Sequence, residues 1–224
     1  MSEYLGKVGA IIWKDILSEL RTKDIVTSVL VFTVLVLVIF SFAFEPESEV
    51  IRLLSGGILW VAFTFAGMLG LSRSMAAETD KGSLQGLLLC PVDRDVIFMG
   101  KMAASLLFML LVEAAAMPIF LILFNLPVFL PSLALVALMA TIGFAAIGTI
   151  FATIAANTKA REIMLPILFI PVAVPVIIAA VKATGVIISG EPLSTARSWL
   201  LIIAAFDAIF LVLSAFLFEF AVEE

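Results

Sequence analysis

The sequence predicts an all-α integral membrane protein, with six transmembrane helices, an interfacial helix ahead of them and a short cytoplasmic helix between the second and third spans. Three observations carry this prediction. Of 224 residues, 63% are hydrophobic and only 14% are charged, against roughly 45–50% and about 25% in an average soluble domain. A membrane-spanning helix needs about 20 mostly apolar residues, because each adds ~1.5 Å across a hydrocarbon core ~30 Å thick. Six runs meet that length, and they are continuously apolar, without the alternation of a membrane β-barrel. They cover most of the chain, so 1–224 reads as a single transmembrane domain.

Residues 3–24 precede the first span. Leu5, Val8, Ile12, Ile16 and Leu20 fall on one helical stripe, with Lys7, Lys14 and Arg21 opposite. That is the pattern of a helix lying in the membrane interface. Asp15 and Glu19 sit near the apolar edge and run against it. The spans follow at about 25–44, 53–72, 102–124, 132–156, 164–181 and 198–218. The first is not a secretory signal, since polar sequence precedes it and its apolar run exceeds an h-region of about 7–15 residues. The fourth carries Gly143 and Gly148 among alanines, a composition that lets helices approach closely.

Basic residues alternate between the segments joining the spans. Lys7, Lys14, Arg21 and Lys23 precede the first span. Arg73, Lys81, Arg94 and Lys101 lie between the second and third, and Lys159 and Arg161 between the fourth and fifth. The opposite set holds Arg52, Lys182 and Arg197 only. The positive-inside bias therefore puts both termini in the cytoplasm.

The composition also excludes functions. The chain has no His and one Cys. It cannot supply a His-based metal site, a catalytic triad, an imidazole ligand to haem, an intrachain disulfide or an iron–sulfur cluster. A net charge of −5 without a large basic cluster argues against nucleic acid as a partner. No G-x-x-x-x-G-K-[ST] phosphate loop is present, so any ATP-driven step must be powered by another chain.

The cytoplasmic loop 73–101 is the most informative stretch. Asp80-Lys-Gly82-Ser83 has turn and N-cap chemistry. Leu84, Leu87 and Leu88 then recur at helical spacing, and Pro91 stops the run. A helix of two turns is marginal alone. It needs a surface to pack on, either its own membrane domain or a partner.

The order of parts resembles a half-size ABC-2-type permease and, more narrowly, the haem exporter B (CcmB) family of cytochrome c maturation. Three segments carry the resemblance: Gly57-Ile-Leu-Trp-Val-Ala62, Asp80-Lys-Gly-Ser-Leu-Gln-Gly-Leu-Leu-Leu-Cys-Pro91 with Gly100-Lys101, and Ile170-Pro-Val-Ala-Val-Pro-Val-Ile-Ile-Ala179. The resemblance implies a permease subunit with a separate ABC ATPase. It implies other cytochrome c maturation membrane subunits as partners, a possible homodimer and residence in the cytoplasmic membrane. The helix marked by Asp80, Gly82, Ser83, Leu84, Leu87, Leu88 and Pro91 would then dock in the ATPase as a coupling helix. Haem would be a transported or handled substrate, with no cofactor resident in this chain. Two mechanisms stay open. Haem passes through the subunit, or ATP-driven motion is transmitted to a separate haem-handling protein. The lack of His favours the second.

Glu113 and Asp207 lie near the middle of the third and sixth spans, with no Lys or Arg at comparable depth. A charge there costs about 2.5–3.5 kcal/mol on insertion scales. Each acid is therefore expected to be neutral or to face the protein, as a point on a substrate path or proton relay, or as a hydrogen-bonded packing residue. Pro166, Pro171 and Pro175 remove three backbone donors from the fifth span and predict a kinked or locally unwound helix. Cys90 before Pro91 is expected to act as a small hydrophobe, not a haem ligand. Two alternatives to the leading function are a generic ABC-2 exporter permease for a lipid, drug or polysaccharide, and an integral membrane lipid enzyme. The short loops, with Asp93/Asp95 and Glu45/Glu47/Glu49 as solvated charges, argue against the enzyme.

Overall fold

The computed structural model describes residues 2–44, 49–126, 130–156, 158 and 160–223. Glu45, Glu47 and Lys159, used above, lie outside the described residues, as do the side chains of Glu49 and Arg161. Eight α-helices make up nearly all of the rest: α1 (Ser2–Thr22), α2 (Asp24–Ala43), α3 (Glu49–Asp80), α4 (Ser83–Leu88), α5 (Arg94–Leu123), α6 (Leu130–Ala156), α7 (Arg161–Ile188) and α8 (Arg197–Glu223), with a 3₁₀ turn at Leu193–Ala196. Six of them, α2, α3, α5, α6, α7 and α8, are long and apolar enough to cross a membrane.

The bundle is built around α6, which packs against α3, α5, α7 and α8. Its small residues make that possible. A Cβ at Gly148 would strike Leu71 of α3, and one at Gly143 would strike Asp207 and Phe206 of α8. Phe144 of α6 lies 6.1 Å from Trp60 and 5.6 Å from Phe169, centroid to centroid, so one aromatic cluster joins α3, α6 and α7. The Trp60 indole N–H donates to Thr184 Oγ1 at 2.9 Å, satisfying a donor that lipid or core could not. Outward faces carry exposed apolar side chains, such as Leu35 and Phe42 on α2 and Val212 and Phe216 on α8. A soluble monomer rarely exposes such continuous surface, whereas a bilayer covers it.

The spans outrun their hydropathy. α3 has 32 residues and α5 has 30, or ~48 Å and ~45 Å of helix against a ~30 Å core. Much of the segment read as the loop 73–101 is thus helical overhang, and only α4 and its two short connections lie between the rods. Of the two outcomes expected for the fifth span, a kink or local unwinding, unwinding is absent: α7 is one helix through Pro166, Pro171 and Pro175. Pro171 and Pro175 sit on its exposed side, while Leu165, Phe169, Ala173 and Val176 form the buried side. Packing along that unbroken stripe holds the helix together. Pro118 of α5, also exposed, is accommodated in the same way.

α1 differs from the sequence reading in one respect. Leu5, Trp13 and Leu20 form an exposed apolar face, as an interfacial helix requires. The opposite side rests on α5, with Ile11 buried against Gly100. Lys14, expected to point toward headgroups, instead pairs with Asp15 and Glu78 while 40% of its side chain stays exposed. A left-handed residue, Lys23 (φ 57°), makes the elbow into α2, and the Glu19 carboxylate accepts the Val26 N–H at 2.8 Å there.

Candidate functional site

One end of the bundle holds two linked features, α4 and a part-buried charge cluster. Gly82, at φ +66°, is the residue before α4, a left-handed position that suits glycine. Ser83 does not act as the N-cap; its hydroxyl donates back to the Glu78 carbonyl at 3.3 Å and ties α4 to α3. At the other end, Arg94 Nη1 donates to the Leu88 carbonyl at 3.2 Å and ties α4 to α5. Leu84 is 4% exposed and packs into the main core of the chain itself. Leu87 and Leu88 are half-buried, whereas Gln85, Gly86, Leu89, Cys90 and Pro91 are exposed. The surface that a lone two-turn helix requires is thus supplied at Leu84 by this protein's own membrane domain. Asp80 and Gly82 are exposed beside the turn.

The charge cluster joins three helices. Lys101 of α5, with a side chain 5% exposed, pairs with Asp15 of α1 at 3.0 Å and with Glu78 of α3. Lys14 of α1 pairs with Asp15 at 2.9 Å and with Glu78 at 3.3 Å. Two ammoniums and two carboxylates thus cancel. Burial alone would raise the Asp15 pKa, but Lys101 and Lys14 outweigh it and hold the carboxyl below its ordinary value. Burial alone would lower Lys14, but Glu78 and Asp15 carry it above its ordinary value. The sequence reading missed this cluster. Its one signal was Asp15, an acid at the apolar edge of α1.

The two intramembrane acids are both buried. The Thr141 hydroxyl of α6 lies 2.8 and 2.9 Å from the two carboxyl oxygens of Glu113. Asp207 lies against Gly143, and no side chain donates to its Oδ1. Thr141 and Gly143 are neighbours on α6, so α5 and α8 each bring one acid to the same level of the central helix. Among the described residues no three His, Cys, Asp or Glu side chains form a metal-ligating group.

Fold and site together define a polytopic α-helical membrane protein with a short helix presented at one end of the bundle. Comparison with known proteins narrows this class. The chain belongs to the CcmB family, whose description, CcmB protein, matches residues 7–224. It is 30% identical over 188 residues to a protein of Pseudomonas aeruginosa named heme exporter protein B, covering 84% of this chain and 83% of that one. Proteins of the same name from Rhodobacter capsulatus and Bradyrhizobium diazoefficiens are 29% and 28% identical, over 66% and 82% of this chain and 69% and 83% of theirs.

Proposed function

We propose that this chain is the membrane permease subunit of a haem-export ABC transporter serving cytochrome c maturation, and that a separate ATPase drives it through α4. Family membership carries the reading, together with the printed name of the relatives. The geometry adds support. α4 is pinned to both rods that overhang the bilayer, to α3 through Ser83 and to α5 through Arg94. A partner gripping α4 would move α3 and α5 together, a rigid-body transmission of the kind that couples domains. The docking face on this reading is Gln85, Gly86 and Leu89, because Leu84 is already occupied in the core.

Haem is the substrate, and motion is transmitted to a separate haem-handling subunit. The lack of His supports that choice over passage through this chain. Both termini and α4 face the cytoplasm of the inner membrane, in keeping with the basic loop residues.

One experiment tests docking. The full chain is purified gently from membranes with its co-purifying proteins, as wild type and as Leu89→Glu. An ATPase present with the wild type and depleted at least tenfold with the variant supports the reading. An ATPase absent from both, or equally retained, overturns it. Topology has its own test, because Cys90 is the single cysteine and is exposed. A membrane-impermeant maleimide should label it in inverted vesicles and not in intact spheroplasts.

A further inference from the structure

Thr141 Oγ1 is crowded by three oxygens. The Ala137 carbonyl lies 2.7 Å away, and the two carboxyl oxygens of Glu113 lie 2.8 and 2.9 Å away. A hydroxyl has one hydrogen to give. Were Glu113 a carboxylate, all three neighbours would only accept, and two of these short contacts would set lone pair against lone pair. A proton on Glu113 resolves the count. The acid then donates to Thr141 Oγ1, and the Thr141 hydroxyl donates to the Ala137 carbonyl. The surroundings do not support the charged form. Glu113 is buried, with no ion-pair partner among the described residues. Beside it stand apolar side chains, Val29 of α2, Phe63 and Ala66 of α3 and Val112 of α5. Lys14 and Asp15 of α1 and Glu78 of α3 are engaged in the charge cluster, Asp24 of α2 is exposed in its first turn, and α8 brings another acid, Asp207, to this level.

The side of Glu113 away from Thr141 faces a route to water. A cavity of about 590 Å³ lies at the α4 end, with Lys14, Glu78, Lys81 and Ser83 among the residues that line it. A second gap, of about 10 Å³, lies against Glu113, and that is near the least space that admits one water. Phe108 and Met109 line both. Gly70 lines the large cavity and Gly67 the small one, and a Cβ at Gly67 would strike the Met109 methyl. Met109 therefore stands between the two. Methionine is unbranched and flexible, a side chain able to move aside. We propose that Glu113 is a proton-binding site, loaded and unloaded by water that enters from the α4 end of the bundle past Met109. Loading moves one proton from hydronium to the carboxylate and leaves water, and unloading is the reverse.

Infrared spectra of the full chain in phospholipid vesicles at neutral pH test the proton. The difference between wild type and Glu113→Gln isolates Glu113, because Asp207 contributes equally to both. The expected difference is the carbonyl stretch of an un-ionised carboxylic acid, moved to higher frequency in Thr141→Val, where the acid loses its acceptor. A carboxylate stretch in its place, or a band unmoved by Thr141→Val, would overturn the site. Transfer into D2O tests the route, read as the isotope shift of the same band. Met109→Ala merges the two cavities and should speed that shift roughly tenfold. Met117→Ala is an equal truncation of a buried methionine on the same helix that lines neither cavity, and should leave the rate unchanged. No acceleration by Met109→Ala, or equal acceleration by Met117→Ala, would overturn the route.

Discussion

At the α4 end of the bundle, Lys14, Asp15, Glu78 and Lys101 neutralise one another across α1, α3 and α5. Deeper in the bundle, Glu113 and Asp207 have no ion-pair partner among the described residues and rest on a threonine hydroxyl and a glycine of α6. The first region lies where helices outrun the bilayer. Long side chains there reach one another from three elements, and the pairs act as a clasp. The second lies where a counter-charge would itself cost several kcal/mol to insert. The protein uses small residues and one hydroxyl there instead. The clasp depends on complete pairing, and the deep acids depend on close packing.

The largest expected effect comes from breaking the clasp. Lys101→Met leaves two buried carboxylates with half their partners and should cost about 3–5 kcal/mol. It reads as a lowered thermal midpoint in detergent, and Glu78→Gln in the same chain should recover part of the loss. No change in midpoint for Lys101→Met would refute the clasp.

Acid should act in the same direction and more weakly. The Asp15 pKa is depressed below 3.8, so its contribution is complete above that pH and fades as pH falls through the folded value. The Lys14 pKa is raised above 10.5, so its contribution is complete below that pH and fades as pH rises through the folded value. The protection factors of the α1 amides, which are intrinsic pH-dependent exchange rates divided by the observed rates, should therefore be flat across the window between and fall as the pH drops below it.

Packing at the deep acids comes next. Gly143→Ala places a Cβ on the Asp207 carboxyl and should cost about 1–3 kcal/mol. Asp207→Ala in the same chain should return some of it, and strict additivity of the two would separate the residues. The smallest effect is Thr141→Val, which removes one hydroxyl from Glu113 and should cost about 0.6 kcal/mol, near the average for such bonds between membrane helices.

The membrane helices were readable because an apolar run of about 20 residues has few other uses. Their ends were not. Hydropathy reports apolar length, and the eight residues Arg73–Asp80 continue α3 beyond the apolar run read from the sequence. The clasp was hidden for a different reason. Asp15, Glu78 and Lys101 lie far apart in sequence, and only the fold brings them within bonding distance. For α4, spacing located the helix but could not say which side was inward. Leu84, read as part of a docking stripe, faces home, and Leu89, at 87% exposure, is the leucine left for a partner. In α7 the prolines were visible at once, but their outward placement was not, and that placement is why the helix stays whole.

The overhang of α3 has a mechanical consequence. An unbroken rod of ~48 Å tilting about its own midpoint would have an arm of ~24 Å on either side. A tilt of only about 5° displaces its tip by roughly 2 Å, and the far tip swings by the same amount the opposite way. With α5 strapped alongside through α4, the pair behaves as a seesaw. A small stroke delivered at the α4 end would reappear, reversed, where the Arg52 side chain near the start of α3 reaches the end of α7.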